Sequence, residues 1–491
     1  MDFFLVPASG RGGNVFLFYG TMKEKHLGRK AGRFGRSKDE RYKDSQRPLK
    51  SKNFISKSKY QRNKQQSKSS NGKNLKLNKS LREPDVSLRD RAGFCYVEFP
   101  AEDTPHCPHG PCILLGLRSP SGNIVDRNFV CAVYRGGECS FRCPVSDDGK
   151  IDADVAISAT KNNASTSKKK IIYNNIWKSI KELSTAKEEL YYCKWCNDVK
   201  SSAHFHELVG PIKKSIFRNP SKLFSFDSID SSKAQFWFSD DSLKVLEDVR
   251  TTNNFDGVLC IGTPTVFEFM RKTAERRQSI NSFLLDLDGR FAAFYRSTQF
   301  AQYSMLVNYF YDPFGEAKLK EFFASVKKLM VICDPPFGVI LDPLIISLKN
   351  LRSCFKEMDK DGSKQFNVIL TLPYFLGKFL RLADPPLEMS DFAVCYENHP
   401  KFSQQSRSPV RFFTDIPLAQ FPILLDGYRF CDMCERYVAE QNRHCGLCGV
   451  CPSKNGKTYR HCELCNRCIR PNYKHCKKCS RCHFPGRCLQ R

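Results

Sequence analysis

Residues Val331-Ile332-Cys333-Asp334-Pro335-Pro336-Phe337-Gly338 form an apolar run that ends in an acid, two prolines and an aromatic. The prolines stiffen the loop and remove two backbone donors, leaving Asp334 and the neighbouring carbonyls as acceptors. That set suits an exocyclic amine: Asp334 and the Pro335 carbonyl accept its two N–H groups and hold the nitrogen lone pair toward an electrophile. Catalysis of this kind is chiefly positioning of two reactants. Phe337 offers a stacking face to a planar base released from a helix. Asp-Pro-Pro recurs as Asp384-Pro385-Pro386-Leu387, without the aromatic and without an apolar strand leading into it, and reads as a loop. Upstream, Gly257-Val258-Leu259-Cys260-Ile261-Gly262-Thr263-Pro264 places a glycine directly after an apolar strand, where a ligand can approach closely; a plain strand-to-helix turn accounts for that piece equally well. Leu284-Leu285-Asp286-Leu287-Asp288 ends the next strand in acids that can bind a ribose diol or cap a turn.

A second chemistry is metal ligation. The chain has 24 cysteines, and twelve of them lie after residue 430. Cys107-x-His109 is followed by Cys131 and Cys139, a quartet with zinc chemistry; Cys112 and Cys143 are spare thiols that behave as small buried apolar residues. Cys193-x2-Cys196 precedes His204-x-His206, a short C-x2-C-x7-H-x-H unit. Its alternative reading leaves one histidine on the surface and takes the fourth ligand from elsewhere. The last block holds Cys431, Cys434, Cys445, Cys448, Cys451, Cys462, Cys465, Cys468, Cys476, Cys479, Cys482 and Cys488 with His444, His461, His475 and His483. Three units there repeat His-Cys-x2-Cys-x2-Cys. Sixteen candidate ligands set a ceiling of about four ions in the block, and the two upstream sites bring the expectation to about five to six zinc ions. Which thiol joins which ion is open at this stage. Such grammar points to reduced, metal-bound cysteines rather than disulfides, and a segment so poor in large apolar residues needs metal to fold.

The elements that must carry the Asp334 loop alternate. SDDSLKVLEDV, TPTVFEFMRKTAERR and DPLIISLKNLRSCFKEM predict helices; GVLCIG, SFLLDLD, KLMVICD and FNVILTLPYF predict short buried strands. DFAVCYENH and PVRFFTDI are expected as late antiparallel strands. The pattern predicts an α/β fold with a mostly parallel sheet covered on both faces. The expected divisions are residues 1–91 as a disordered basic tail, 94–147 as the first zinc module, 171–212 as a helix with the second, 224–427 as the α/β domain, and 428–491 as a multi-zinc block.

The formal charge is +28. Residues 21–91 carry 23 Lys/Arg against 7 Asp/Glu, residues 428–491 carry 14 against 4, and residues 92–427 are nearly neutral. Two basic ends around a neutral core predict a polyanionic partner. Arg460, Arg467, Arg470, Lys474, Lys477 and Lys478 are candidate phosphate contacts. No run reaches the length of a membrane span, so no membrane partner is expected.

The loop Asp334 to Phe337 resembles the Asp/Asn-Pro-Pro-aromatic motif of N6-adenine and N4-cytosine amino methyltransferases. The resemblance implies a Rossmann-like class I core dependent on S-adenosylmethionine. It assigns Gly262, Thr263, Pro264, Asp286 or Asp288, and Asp334 to the cofactor, and Asp334, Pro335, Pro336 and Phe337 to the target amine and base. The chain departs from that family in having a single glycine after the first strand. Cys107-Pro108-His109-Gly110-Pro111, with Cys131 and Cys139-Ser140-Phe141, resembles the GRF-type zinc finger, which implies single-stranded nucleic acid near Arg135, Phe141 and Arg142. The final block is similar to the cysteine-rich part of Asp-His-His-Cys palmitoyltransferases, yet its units read Tyr-Arg-His-Cys and Tyr-Lys-His-Cys. The whole order of modules, with VLCIGTP, DPPFG, SPVRFFT, GYRFC and HCELC, resembles ribosomal RNA N6-adenosine methyltransferases of the CCHC-zinc-finger type over about residues 94–488. This implies N6-methylation of an adenosine in large-subunit (28S-type) ribosomal RNA. It further implies a monomer acting on ribosomal RNA or pre-ribosomal particles in the nucleus and nucleolus, with the cytoplasm as a second location. No C-x2-C-x4-H-x4-C segment occurs within residues 1–491, and the pocket chemistry is not expected to need one. The alternatives are a non-catalytic zinc-dependent RNA-binding scaffold and an amino methyltransferase for another RNA or DNA.

Overall fold

Gly257–Ile261 (β1) is buried at every position, as an apolar run must be when both faces of its sheet are covered. The computed structural model describes residues 93–100, 102–119, 121–133, 139–146, 151, 171–224, 236–277 and 280–488. The expected basic tail, Arg135 and most of the 148–170 linker lie outside them. All the described residues fall in one compact unit.

Helix α1 (Asp240–Thr252) precedes β1; the Ser239 side chain caps it by accepting from the Ser242 N–H, and Asp240 and Asp241 sit in its first turn, where the helix dipole favours acids. After β1 come α2 (Pro264–Arg277), β2 (Asn281–Asp286), β3 (Phe300–Ser304), β4 (Tyr309–Phe310), α3 (Gly315–Ala324), β5 (Lys328–Cys333), α4 (Leu341–Lys356), β6 (Gln365–Pro373), β7 (Glu388–Met389) and β8 (Val410–Thr414). They form one eight-stranded mixed sheet ordered β4-β3-β2-β1-β5-β6-β8-β7. Neighbours from β3 to β6 run parallel, and β4, β7 and β8 pair antiparallel. Alternate residues feed two cores: Val258, Cys260, Met330 and Ile332 pack on one face, and Leu259, Ile261, Val331 and Cys333 on the other. The period is that of a pleated strand.

The sequence reading omitted β3 and α3. It also expected a strand over DFAVCYENH, and the structure differs. Residues 392–396 are buried but lie outside any ladder strand. Their backbone groups bond to other partners: Ser239 N–H donates to Cys395 O, Val394 N–H to Val410 O and Tyr396 N–H to Phe402 O, while Cys395 N–H donates to the Ser242 hydroxyl. Satisfied polar groups, not a sheet, make burial of this segment tolerable.

The first cysteine module is a five-stranded antiparallel sheet from Gly93–Val97 to Arg142–Pro144. It rests on the α/β core through Tyr311, whose hydroxyl donates to His109 O at 2.6 Å. The second comprises a helix, Ile176–Thr185, and three short strands between Tyr191 and Val209. Trp177 Nε1 donates to Phe294 O at 3.0 Å, and Asn197 Nδ2 to Arg290 O at 3.1 Å. One apolar cluster runs from Ile176 and Tyr192 through Phe294 to Phe412, so this module shares the core of the α/β unit. The last block is three hairpins: Tyr428–Cys431 with Arg436–Ala439, Arg460–Cys462 with Arg467–Ile469, and Lys474–Cys476 with Arg481–His483.

Candidate active site and metal-binding clusters

The sheet changes direction of growth at β1: β2 and β3 lie to one side, and β5 and β6 to the other. The carboxyl ends of the strands meeting there are the usual ligand position in such sheets. Gly262 follows β1 with φ +64°, the left-handed conformation that glycine adopts without steric cost. A Cβ at Gly262 would lie 3.0 Å from Met305 Cε and 3.2 Å from Asp334 O. The glycine therefore lets the β1 turn close against the Asp334 loop. Two bonds stitch the strand ends together: Gly262 N–H donates to Leu285 O at 2.8 Å, and Asp334 N–H to Ile261 O at 3.1 Å. Thr263 is buried, and Pro264 opens α2, where a missing N–H costs nothing.

The two acids after β2 do different work. Asp288 is held by Arg290 through side-chain contacts of 2.7 to 3.0 Å and caps the following turn. Asp286 is buried at the strand end and accepts from Asp288 N–H at 2.8 Å. Of the pair, Asp286 is the buried one, at the end of β2 beside β1.

Asp334 leaves β5 directly after buried Cys333. The Tyr396 hydroxyl donates to its Oδ1 at 3.0 Å. Burial pushes the Asp334 carboxyl well above the usual carboxylate range, and the Tyr396 bond pulls it back down. Tyr396 is itself fully buried, and its hydroxyl is held well above the ordinary tyrosine value by burial and by Asp334. Phe337 stands among aromatic rings: Phe236 at 5.9 Å with planes 22° apart, Phe402 at 5.8 Å, and Tyr396 and His399 at 6.3 Å. His399 stacks on Phe402 at 4.1 Å, and burial lowers its affinity for a proton. A carboxylate with one oxygen fixed, beside an aromatic wall, can hold an amine on a planar ring. Phe236, Tyr396, His399 and Phe402 were absent from the sequence reading. Tyr396 and His399 lie in a segment expected only as a strand, Phe236 and Phe402 lie in mixed polar stretches given no element, and nothing in their spacing tied them to Asp334. The second Asp-Pro-Pro copy is a loop whose Asp384 pairs with Lys349 at the surface.

All the predicted metal ligands gather in groups. Cys107, His109, Cys131 and Cys139 place their ligand atoms within 4.8 Å of one another, as do Cys193, Cys196, His204 and His206. In the last block the groups are Cys431, Cys434, His444 and Cys451; Cys445, Cys448, His461 and Cys468; and Cys462, Cys465, His475 and Cys482. Cys476, Cys479, His483 and Cys488 form a further set, with Cys476 Sγ 3.8 Å from Cys488 Sγ and His483 acting on both thiols. Tetrahedral zinc with bonds of about 2.0–2.3 Å needs ligand–ligand edges of about 3.3–3.8 Å. The structure has 3.1 Å for His204–His206, 3.3 Å for Cys196–His206, 3.7 Å for Cys448–Cys468 and 3.5 Å for Cys465–Cys482. The donor sets are those of zinc, and the edges scatter about that range, from 3.1 Å for His204–His206 to 4.0 Å for His461–Cys468. Pairing in the block follows one rule. Within each His-Cys-x2-Cys-x2-Cys unit, the outer His and Cys join the preceding cluster, and the inner Cys pair begins the next. Of the residues expected at nucleic acid in the first module, Phe141 packs into the module's core, and Arg142 is held by Asn128 at 2.9 Å and Asp126 at 3.4 Å.

An Asp-Pro-Pro-Phe loop at the switch point of a mixed α/β sheet places the chain among amino methyltransferases, and residues 229–402 match the family described as probable N6-adenine methyltransferase. The human rRNA N(6)-adenosine-methyltransferase ZCCHC4 is 30% identical over 391 residues, which span 76% of this chain and 76% of the human protein. The mouse protein of that name is 32% identical over 390 residues, 74% of each. That of Xenopus tropicalis is 30% identical, over 70% of this chain and 73% of its own. The chain belongs to the rRNA N(6)-adenosine-methyltransferase ZCCHC4 family.

Proposed function

We propose that this chain transfers the methyl group of S-adenosylmethionine to N6 of an adenosine in large-subunit (28S-type) ribosomal RNA. The observation that carries the reading is Asp334 itself: a partly buried carboxylate at the end of β5, one oxygen fixed by Tyr396 at 3.0 Å, and its backbone carbonyl 3.2 Å from where a Gly262 side chain would stand. Parallel β3-β2-β1-β5-β6 with antiparallel β8 inserted before β7 supports a Rossmann-like class I core. Gly262, Thr263, Pro264 and Asp286 line the β1 and β2 ends where the cofactor would lie; bound there, it supplies an electrophilic methyl group. Asp334 and the Pro335 carbonyl accept the two N–H groups of the adenine amine, so its lone pair points at that methyl. Phe337 and its ring neighbours hold the base by stacking. The raised proton affinity of Asp334 lets its carboxylate take the proton that N6 sheds on alkylation. Pro336 contributes rigidity, since it cannot donate and its φ is fixed.

Six zinc ions fit the clusters, two in the amino-terminal modules and four in the last block. The expected setting is a monomer on ribosomal RNA or a pre-ribosomal particle in the nucleolus. The decisive test is methyl transfer from labelled S-adenosylmethionine to ribosomal RNA from cells lacking the protein, by the wild type and by Asp334→Ala. The proposal requires transfer by the first, none by the second, and RNA binding by both. Wild-type protein that binds RNA but not S-adenosylmethionine would mean a scaffold instead.

A further inference from the structure

His399 stands in the aromatic wall beside Phe337, half-buried, and its two ring nitrogens are in different situations. Nδ1 accepts from two backbone N–H groups, that of Lys401 at 3.0 Å and that of Phe402 at 3.2 Å. Two donors aimed at one nitrogen leave no room for a proton there, so the neutral ring carries its proton on Nε2. Partial burial disfavours a second proton on the ring. Nε2 is therefore fixed as a donor. Among the described residues it has no hydrogen-bond partner.

The turn that carries this ring is pinned on several sides. Glu397 N–H donates to Trp237 O at 2.8 Å, and Tyr396 N–H to Phe402 O at 3.1 Å. Asn398 Oδ1 accepts from Trp237 N–H at 2.7 Å. Pro400 restricts the backbone of His399 before it. The imidazole stacks on Phe402 at 4.1 Å with planes 19° apart and lies 4.4 Å from Phe236. Its centre is 6.3 Å from the Phe337 ring and 6.4 Å from that of Tyr396, whose hydroxyl holds Asp334. An Asn or Asp side chain closes such a turn on the following N–H groups with one acceptor. The imidazole supplies that acceptor and adds a second nitrogen on its other edge, one ring away from both Phe337 and Tyr396.

We propose that His399 Nε2–H reads the target base, donating to a ring nitrogen beside the amine held by Asp334, and so selects adenine. This rests on the methyltransferase reading. In adenine the N6 amine lies between N1 and N7, and both are acceptors. Asp334 and the Pro335 carbonyl are acceptors themselves, so they can hold the amine but cannot recognise a ring nitrogen. Phe337 and its neighbouring rings discriminate little, since every base has a π-face to stack. Acceptors and rings alone would hold any planar amine. A donor that cannot become an acceptor supplies the missing complement and penalises a base that presents N–H or C–H at that position.

The test uses the full chain and synthetic oligoribonucleotides spanning the methylated adenosine, with that position occupied by adenosine or by an analogue in which N1 or N7 is replaced by C–H. Wild-type kcat/KM should be similar for adenosine and one analogue, and about 10- to 100-fold lower for the other. His399→Asn keeps an acceptor for the Lys401 and Phe402 N–H groups and removes the donor. It should lose about the same factor on adenosine and lose nothing further on the analogue that the wild type rejects. S-adenosylmethionine affinity and the unfolding midpoint should stay at wild-type values. If His399→Asn misfolds, His399→Phe, which keeps a ring on Phe402, takes its place, and the wild-type comparison of the analogues needs no variant. Equal wild-type kcat/KM on all three RNAs overturns the proposal and leaves the methyltransferase reading standing. So does a folded variant that still rejects the same analogue by the wild-type factor, because another group would then read that nitrogen. Wild-type protein that binds RNA but methylates none of the three removes the methyltransferase reading, and the base-reading role falls with it.

Discussion

Tyr396→Phe should displace the acid limb of the pH–rate profile without abolishing activity. Asp334 must be ionised for its carboxylate to accept one N–H of the target amine while the Pro335 carbonyl accepts the other. Burial raises its pKa, and the Tyr396 hydroxyl at 3.0 Å lowers it. A hydrogen bond to a charged group contributes about 1.5–3 kcal/mol net, and about 1.4 kcal/mol corresponds to one pKa unit. Loss of the hydroxyl should then cost the ionised form about 1.5–3 kcal/mol and raise the Asp334 pKa. The ring remains, with its contacts to Phe236 at 5.6 Å and Phe238 at 5.2 Å, so the fold and the aromatic wall persist. The assay is kcat/KM for methyl transfer to RNA from about pH 5.5 to 9.5, where the profile reports the free enzyme's essential groups. The expected result is an acid limb moved upward, with a rate loss on that limb of about 10- to 100-fold and most of the rate recovered on the alkaline plateau. A rate reduced by one constant factor at every pH would refute the reasoning, because Tyr396 would then be packing and not tuning Asp334.

Asp334→Asn should abolish transfer yet raise the unfolding midpoint, more at pH 8 than at pH 5. A carboxyl whose folded pKa is raised contributes stability below its unfolded pKa and loses it as pH rises through the folded one, and calorimetry at the two pH values checks this. Glu268 is buried, accepts from Ser221 N–H at 2.9 Å and from the Ser221 and Tyr295 hydroxyls, and is pushed up to about 7 chiefly by burial. By the same sign, wild-type stability should decline as pH rises through about 7, and Glu268→Gln should lack that decline in urea titrations. Metal analysis of purified protein should find about six zinc ions per chain, and Cys445→Ser should lose more than one of them, because its neighbour His444 serves the preceding cluster.

Much of this was legible because it is local. A buried apolar run ending in Asp-Pro-Pro-Phe is visible as letters, and so is a Cys-x2-Cys knuckle. The strands β1, β2, β5 and β6 announced themselves through unbroken apolar runs. What escaped depends on tertiary placement. β3 alternates weakly and pairs with β2 over three residues, too little to mark it as buried. DFAVCYENH has a strand's composition, yet its hydrogen bonds go to Ser242, Phe402 and β8, and that irregular path is what carries Tyr396 to Asp334, 62 residues away in sequence. That Asp286 is buried while Arg290 occupies Asp288 is likewise visible only in coordinates.

The cysteine block follows a different logic from the sheet. Among its described residues the one apolar cluster of its own is Cys431, Val438 and Cys451, with Cys434 beside it, far too small to offset the entropy of ordering sixty residues. The ligand pairing supplies what a core would. Because the His and the Cys of each His-Cys step belong to successive clusters, His444 to one and Cys445 to the next, the backbone between clusters is a single peptide link, and each bound ion fixes the start of its neighbour's site. Order must then spread from the end that is already held. That end is the first hairpin: buried Asp391 accepts from Arg436 Nη2 at 2.8 Å and from Asn442 Nδ2 at 2.5 Å, and the Tyr428 hydroxyl accepts from Ala393 N–H at 3.0 Å. Asp391 and Ala393 belong to the same segment that presents Tyr396 to Asp334. One irregular stretch, residues 391–396, thus both braces the carboxylate of the candidate site through Tyr396 and anchors the first hairpin of the cysteine block through Asp391 and Ala393.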